Sequence, residues 1–230
     1  MKETKETNLA CEFCNRKFAR ERTIVSHLCE TKDRWLNKDR QSNRIAFQTF
    51  ANFYDKHSAT KQSKTYKEFI KSPYYMAFIK YANYCINVNC INIPRYTDWL
   101  LKTNIKIDNW CSDKNYSEFI IYHLKNEDPY DAVKRSIEYF MDMSIEEHIQ
   151  HNDCLRYVGV NKICYAITAG KISPWVLYCS DSGVSFLDKL NTDHSNLIVS
   201  YIVPEQWAIK FNRDHELVKG IKGLLKDAGY

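Results

Sequence analysis

The segment Cys11-Glu-Phe-Cys14-Asn-Arg-Lys-Phe18-Ala-Arg-Glu-Arg-Thr-Ile24-Val-Ser-His27-Leu-Cys29 constrains this chain more than any other. A Cys-x-x-Cys pair places two sulfurs on one short turn. A histidine follows after twelve more residues. Phe18 and Ile24 stand where a small ββα unit needs apolar side chains to pack over a metal. Zinc takes four N or S ligands in a tetrahedron, so the spacing predicts a finger of the two-cysteine two-histidine kind as far as His27. The alternative is two buried cysteines and a surface histidine with no metal. Phe18, Ile24 and His27 together favour the metal.

After His27 the pattern departs from that finger. Its last ligand should come four to six residues on, yet the nearest donor is Cys29, two residues away. Residues two apart on an α-helix point about 200° from each other. His27 and Cys29 can therefore share a metal only if the helix ends near Leu28. Cys29 is the expected fourth ligand, with Glu30 or Asp33 as substitutes.

With 230 residues the chain can hold one sizeable core and a small module. Its 44% hydrophobic and 27% charged content are those of a soluble globular protein. Residues 1–10 are polar and charged, unlike a signal peptide, and no run approaches the roughly 18 apolar residues of a membrane span. The expectation is an intracellular protein with no membrane partner. Nine cysteines are an odd number. Those at 85, 90, 111, 154, 164 and 179 form no tight pair and read as small buried hydrophobes.

The net charge of +5 is uneven. Residues 1–44 hold eleven Lys or Arg against seven Asp or Glu, and the remaining residues hold 22 against 21. Within the finger Arg16, Lys17, Arg20 and Arg22 surround the single Glu21. Such a face suits phosphate, although charge clusters are also ordinary solvated surfaces.

No glycine precedes Gly159, which excludes a glycine-rich phosphate loop from the first two-thirds of the chain and points to helices. Ser72-Pro73, Asp128-Pro129 and Ser173-Pro174 read as N-caps followed by Pro at the first helical position. Pro94 and Pro204 open helices over Arg95–Leu101 and Glu205–Phe211. Apolar residues recur at helical spacing through Ile45–Tyr54, Tyr75–Cys85, Tyr116–Leu124, Ala132–Phe140 and Leu217–Leu225. Short strands are conceivable at Cys85–Ile93 and Ile105–Ile107, and Leu197–Val203 reads as a strand or a helix start. Residues 55–64 read as a polar loop. The fold class expected is mainly α: a small N-terminal ββα-like finger (1–33), a helical block (34–150) and a second helical block (151–230). Nothing Gly- or Ser-rich separates the two blocks, so a single domain of both is an open alternative.

Outside the finger the sequence offers little chemistry. Asn161–Leu177, with Ala166, Gly170, Ile172 and Val176, has the rhythm of a helix-turn-helix. Its simpler reading is a glycine-capped helix, a loop and a serine-capped helix whose Trp-Val-Leu-Tyr is too apolar to read bases. Asn52–Tyr54 with Lys56 and His57, and Lys71–Lys80, mix aromatic and basic residues as single-strand binders do, but the spacing also fits core packing. Glu146, Glu147, His148 and His151 are a dense group that reads as a solvated helix end. Asp181, in the turn-like Ser180–Gly183, is a weak candidate. No catalytic set follows from these.

The finger, Cys29-Glu-Thr-Lys-Asp-Arg-Trp35-Leu, Lys162-Ile-Cys-Tyr-Ala-Ile-Thr-Ala-Gly-Lys-Ile-Ser-Pro-Trp175 and Pro204-Glu-Gln-Trp-Ala-Ile-Lys-Phe211 together resemble zinc-finger proteins of large contractile-tailed bacteriophages. The resemblance runs through most of the chain, and a cysteine ending at Cys29 fits that group. It implies a phage protein made in the cytoplasm of the infected bacterium and carries no activity with it.

The sequence thus points to a zinc site at Cys11, Cys14, His27 and Cys29, in a nucleic-acid-binding accessory protein for replication, transcription or packaging. With Glu21 opening the finger helix, Arg20, Thr23 and Ser26 fall at the base-facing positions. Together with Arg16, Lys17 and Arg22 they form the expected nucleic-acid contact, DNA foremost. A zinc-stapled module binding a phage or host protein, such as a virion component or polymerase adaptor, is the second reading. A nucleic-acid-modifying enzyme is the third.

Overall fold

A computed structural model describes residues 9–57 and 63–230. Its described residues are helical apart from one two-stranded hairpin, turns and short connections. The chain divides into two compact units, Met1–Cys111 and Ser112–Tyr230. The boundary expected at 150/151 falls inside the second unit, where the helix Pro129–Glu147 packs on the segments that follow it.

In the first unit β1 (Leu9–Ala10) and β2 (Lys17–Phe18) pair antiparallel, Leu9 opposite Phe18. Among the described residues six α-helices follow: α1 (Glu21–Ser26), α2 (Glu30–Leu36), α3 (Gln41–His57), α4 (Tyr66–Lys71), α5 (Tyr75–Asn87) and α6 (Ile93–Lys102). Left-handed turns usually go to glycine, which this region lacks. Asparagine takes them instead at Asn15 (φ 56°), Asn89 (φ 49°) and Asn104 (φ 54°), as its short polar side chain permits. Asn89 and Asn104 lie just beyond α5 and α6 and close those helices.

A capping box starts α4: Glu68 N–H donates to Thr65 Oγ1 and Thr65 N–H to Glu68 Oε2. Asn92 caps α6 with Pro94 in its first turn. Ser72 is not an N-cap. It closes α4, and its hydroxyl accepts from Tyr74 N–H before α5 begins.

The core of this unit is aromatic. Phe69 is fully buried and lies against Phe47, Phe50, Tyr66, Tyr75 and Phe78 at centroid distances of 4.8–6.5 Å. Phe78 and Tyr81 continue the cluster to the buried Trp110. Such edge and tilted pairs pack rings densely. Here the mixed aromatic and basic stretches build core. The expected strand at Cys85–Ile93 is instead the end of α5, a turn and the start of α6, and Ile105–Ile107 is no strand. The loop expected at 55–64 begins later, because α3 runs through His57. Residues 58–62 of that expectation lie outside the described residues.

The second unit holds α7 (Asp113–Asn126), α8 (Pro129–Glu147), α9 (Cys154–Tyr157), α10 (Val160–Thr168), α11 (Pro174–Cys179), α12 (Asp181–Leu187), α13 (Thr192–Ile202), α14 (Pro204–Arg213) and α15 (His215–Asp227). Leu197–Ile202 lies in α13 and so forms helix, not strand. Asp128 and Ser173 cap α8 and α11 as their Pro neighbours predict. Gly170 (φ 72°) makes the turn between α10 and α11. Pro174, Trp175, Val176, Leu177 and Cys179 are all buried. No groove-reading helix is available there, and the simpler reading of Asn161–Leu177 is the right one. At Gly183 a Cβ would come within 2.5 Å of Leu177 O, so only glycine lets α12 approach α11 this closely.

Inside this unit the Glu127 carboxylate is almost wholly buried. Arg135 forks onto both its oxygens, His123 Nε2 stands 3.3 Å from Oε2, and Ser173 Oγ donates to Oε1 at 3.1 Å. Arg135 Nε also donates to Gly170 O at 3.0 Å. The cluster thereby ties α7 and α8 to the turn before α11. Burial alone would raise the Glu127 pKa, but its bonds to Arg135 and His123 outweigh it and hold the pKa below the usual glutamate range. A lowered carboxylate pKa adds stability that is present above the unfolded value, about 4.3, and is lost as pH falls through the folded value. E127Q is therefore expected to lose about 3–5 kcal/mol at neutral pH, because it leaves Arg135 half-buried without its counter-charge. In thermal melts the gap between wild type and variant should narrow as pH drops below about 4.3. A gap independent of pH would refute the charge assignment.

Candidate metal centre

The knuckle, the short helix and the start of the next helix bring four ligands together. Cys11 and Cys14 flank the hairpin turn. Cys11 N–H donates to Arg16 O (2.9 Å), Asn15 N–H donates to Cys11 O (2.8 Å), and Asn15 adopts its left-handed conformation between them. α1 lasts only six residues. His27 has left helical geometry (φ −68°, ψ 122°), and Cys29 is extended as well (φ −93°, ψ 162°). The helix thus ends early enough for both residues to turn toward the knuckle, as their close spacing requires.

The four ligand atoms all lie within 4.8 Å of one another. Cys11 Sγ is 3.9 Å from Cys29 Sγ, and Cys14 Sγ is 3.2 Å from His27 Nε2. A tetrahedral zinc would require edges of about 3.8 Å between sulfurs and about 3.6 Å between sulfur and nitrogen. Cys11, Cys14, His27 and Cys29 can therefore hold a metal ion. Three thiolates and one imidazole are a donor set of structural zinc sites. Among the described residues no other such cluster occurs.

The substitutes for Cys29 are engaged elsewhere. Glu30 pairs with Arg34, and Asp33 accepts from Asn37 Nδ2 at 3.1 Å. Cys29 sits at the N-cap of α2, yet its side chain caps no N–H, so its sulfur is left for the metal.

The sulfurs influence one another. Burial pushes the Cys11 thiol up, but hydrogen bonds from the backbone of Cys14 and Phe13 outweigh it and leave the pKa lowered. At Cys14 a backbone bond from Arg16 acts downward. Burial and the neighbouring Cys11 and Cys29 sulfurs prevail, and that thiol is raised. Adjacent thiols resist ionising together until a cation joins them.

Apolar support for the centre is thin. Phe18 and Ile24 are half-buried, the Phe18 ring lies 4.7 Å from that of His27, and only Cys11 is buried among residues 9–29. Lys32 was not foreseen in this role. Its Nζ donates to His27 O (2.9 Å) and Val25 O (3.4 Å), closing the end of α1. The link to the helical body was also missed: Phe13 lies 6.0 Å from Trp35, Trp35 lies 5.8 Å from Tyr66, and Tyr66 OH donates to Arg34 O. Its signal in the sequence was Trp35, a large aromatic residue in the polar stretch that follows Cys29.

Arg16, Lys17, Arg20, Arg22, Thr23 and Ser26 are all exposed, and Glu21 opens α1 as expected. The four basic side chains form no ion pair with a described residue. The Arg16 guanidinium stands 5.7 Å over the Phe18 ring. Ser26 Oγ turns back onto Arg22 O and Thr23 O.

The other candidate groups resolve as structure. Cys154, Cys164 and Cys179 are buried in the core of the second unit. Glu146 and Glu147 both accept from Lys162 Nζ, at 2.9 and 2.8 Å, and His151 Nδ1 meets Tyr230 OH at 2.9 Å. The acidic pair is thus part of a salt bridge and not simply solvated. Asp181 is the exposed first residue of α12. No described helix is long and apolar enough to cross a membrane. Comparison with protein-family models, with curated proteins and with solved structures gave no match.

Zinc analysis of protein purified without chelator is expected to give one zinc per chain. Cys14→Ser and Cys29→Ser should each weaken zinc affinity by at least the roughly 10–100-fold that loss of an outer-shell partner costs, while the helical circular dichroism signal largely remains. A C29S protein with wild-type zinc affinity would remove Cys29 from the ligand set.

Proposed function

We propose that the chain is a zinc-finger protein that binds nucleic acid, DNA foremost, through the basic face of its finger. The carrying observation is that Arg16, Lys17, Arg20 and Arg22 are exposed and without a carboxylate partner among the described residues, on the element that also holds the four ligands. Zinc supplies the cross-link that so small an apolar core lacks. Arg20, at the N-cap of α1, is placed to donate two bonds to a guanine edge, with Thr23 and Ser26 beside it. One finger covers only about 3 base pairs, so binding also draws on the helical body or on a partner. An accessory role in phage replication, transcription or packaging, in the cytoplasm of the infected bacterium, follows from the sequence resemblance alone.

A second reading has one observation in its favour. Val25, Leu28 and Leu36 are 72%, 60% and 63% exposed on the finger and the helix after it, which suits a module whose partner is a phage or host protein.

Salt separates the two. Phosphate contacts weaken binding steeply with added salt, while an apolar interface does not. Anisotropy titrations with labelled duplex and single-stranded oligonucleotides are expected to show binding at about 50 mM salt that falls sharply by about 200 mM. Replacing Arg16, Lys17, Arg20 and Arg22 by Gln should reduce the slope of log affinity against log salt by about 0.9 for each lost phosphate contact on duplex DNA. Wild-type protein that binds neither form at the lower salt would leave the protein-partner reading.

A further inference from the structure

The first unit contains a pocket whose chemistry differs from that of the finger. It lies between α3 and the segment that leads into α6, has a volume of about 710 Å³, and is lined by Ile45, Gln48, Thr49, Asn52, residues 90–94 and Thr97. That volume is within the range of small-molecule sites. Ile45, Ile91 and Ile93 give its lining apolar surface. Apart from the Cys90 thiol, no lining side chain is ionisable. A larger groove beside α5 carries Lys80 and Asp108 and lacks this neutrality.

Two of the lining amides have fixed orientations. Asn52 Nδ2 donates to Asp98 Oδ1 at 2.9 Å, and Lys56 holds the same carboxylate. A carboxylate only accepts, so the amide nitrogen of Asn52 must face Asp98 and its carbonyl oxygen is the atom left over. Asn92 has the opposite arrangement. Its Oδ1 accepts from Arg95 N–H as the cap of α6 (3.0 Å), which leaves its NH2. Gln48 is exposed, with a donor and an acceptor at one tip. Thr97 adds nothing further, since its hydroxyl is engaged by Ile93 O and Tyr81 OH. The lining side chains therefore offer one oriented acceptor, one oriented donor, one adaptable amide and the Thr49 hydroxyl beside apolar surface.

We propose that this pocket receives an unpaired nucleobase. A base is flat, uncharged and apolar on its faces, and its edge alternates donors with acceptors, which Asn and Gln amides match in pairs. Selecting a nucleobase among neutral planar ligands rests on the nucleic-acid reading of the finger, which belongs to the same unit. On α3 the exposed Arg44 stands one turn before Gln48, where it would meet the backbone of a strand whose base is in the pocket.

The test uses full-length, zinc-loaded protein and four nucleosides: uridine, cytidine, adenosine and guanosine. They carry no phosphate, so the basic face does not contribute. In amide proton–nitrogen spectra at least one nucleoside is expected to cause saturable shifts confined to residues 45–52 and 90–97. Methylating the donor of that base, the ring N–H of uridine or guanosine or the exocyclic amine of cytidine or adenosine, should weaken binding. The double variant Gln48→Ala, Asn92→Ser keeps an oxygen to cap α6 and should bind about tenfold more weakly. Thermal melting of that variant separates lost binding from lost fold, and the wild-type shift map does not depend on the variant. The pocket is refuted if none of the four moves these residues, or if the folded variant binds as tightly as wild type. Oligonucleotide binding without nucleoside binding leaves the finger reading intact and this inference overturned. Nucleoside shifts without any oligonucleotide binding support the pocket and overturn the finger reading.

Discussion

The early end of α1 is the constraint from which the rest of the first unit follows. Six residues of helix amount to about 9 Å of rise, and then His27 turns extended. Had the helix continued through Cys29, the two ligands would have diverged by about 200° and no shared metal could form. Because it stops, Cys29 completes the cluster and at the same time begins α2. Lys32, on the new helix, then reaches back to the carbonyls that α1 leaves open. One break in a helix thus serves ligand geometry, capping and the direction of the chain.

That direction places Trp35 between the finger and the body. Phe13 from the knuckle meets it on one side and Tyr66 from α4 on another, while Lys38 and Lys67 lie over its ring at 5.0 and 5.9 Å. Arg34 strengthens the junction, donating to Ile70 O and stacking 4.2 Å over Tyr75. Tyr66 passes the contact on to Phe47 and Phe69 and so to the core. The finger is therefore not a bead on a linker. A finger with almost no buried apolar side chains among its described residues borrows rigidity from a dense aromatic core.

The second unit follows another logic. Its interior combines a large apolar core with one polar cluster, in which Glu127, Arg135, His123 and Ser173 satisfy one another. A buried ion cluster of this kind specifies one arrangement more than it adds stability. In this unit it sets where the α10–α11 turn sits and therefore how the wholly buried α11 enters the core. The same packing removes α11 from any role in reading a groove.

The local features were legible because their causes are local. The ligand types, the spacing of Cys11, Cys14 and His27, the basic residues around Glu21, the Asp128-Pro129 and Ser173-Pro174 caps and the helical apolar rhythm each depend on residues a few positions apart. Ser72 misled because a serine before proline can close one helix as readily as open the next. Leu197–Val203 stayed open between strand and helix start because an apolar run has no period of its own until its neighbours decide which face is buried. What the sequence determined alone was a helical chain with a metal-ligand pattern and a basic N-terminal face. Tertiary structure decided that Cys29, not Glu30 or Asp33, completes the cluster, that Trp35 joins finger to body, that Glu127 is buried among its partners, and that Asn52 and Asn92 line one pocket. The deciding pairs, Cys11 with Cys29, Trp35 with Tyr66, Glu127 with Ser173 and Asn52 with Asn92, lie 18 to 46 positions apart, where the free energy of packing and desolvation, not local preference, selects the partner.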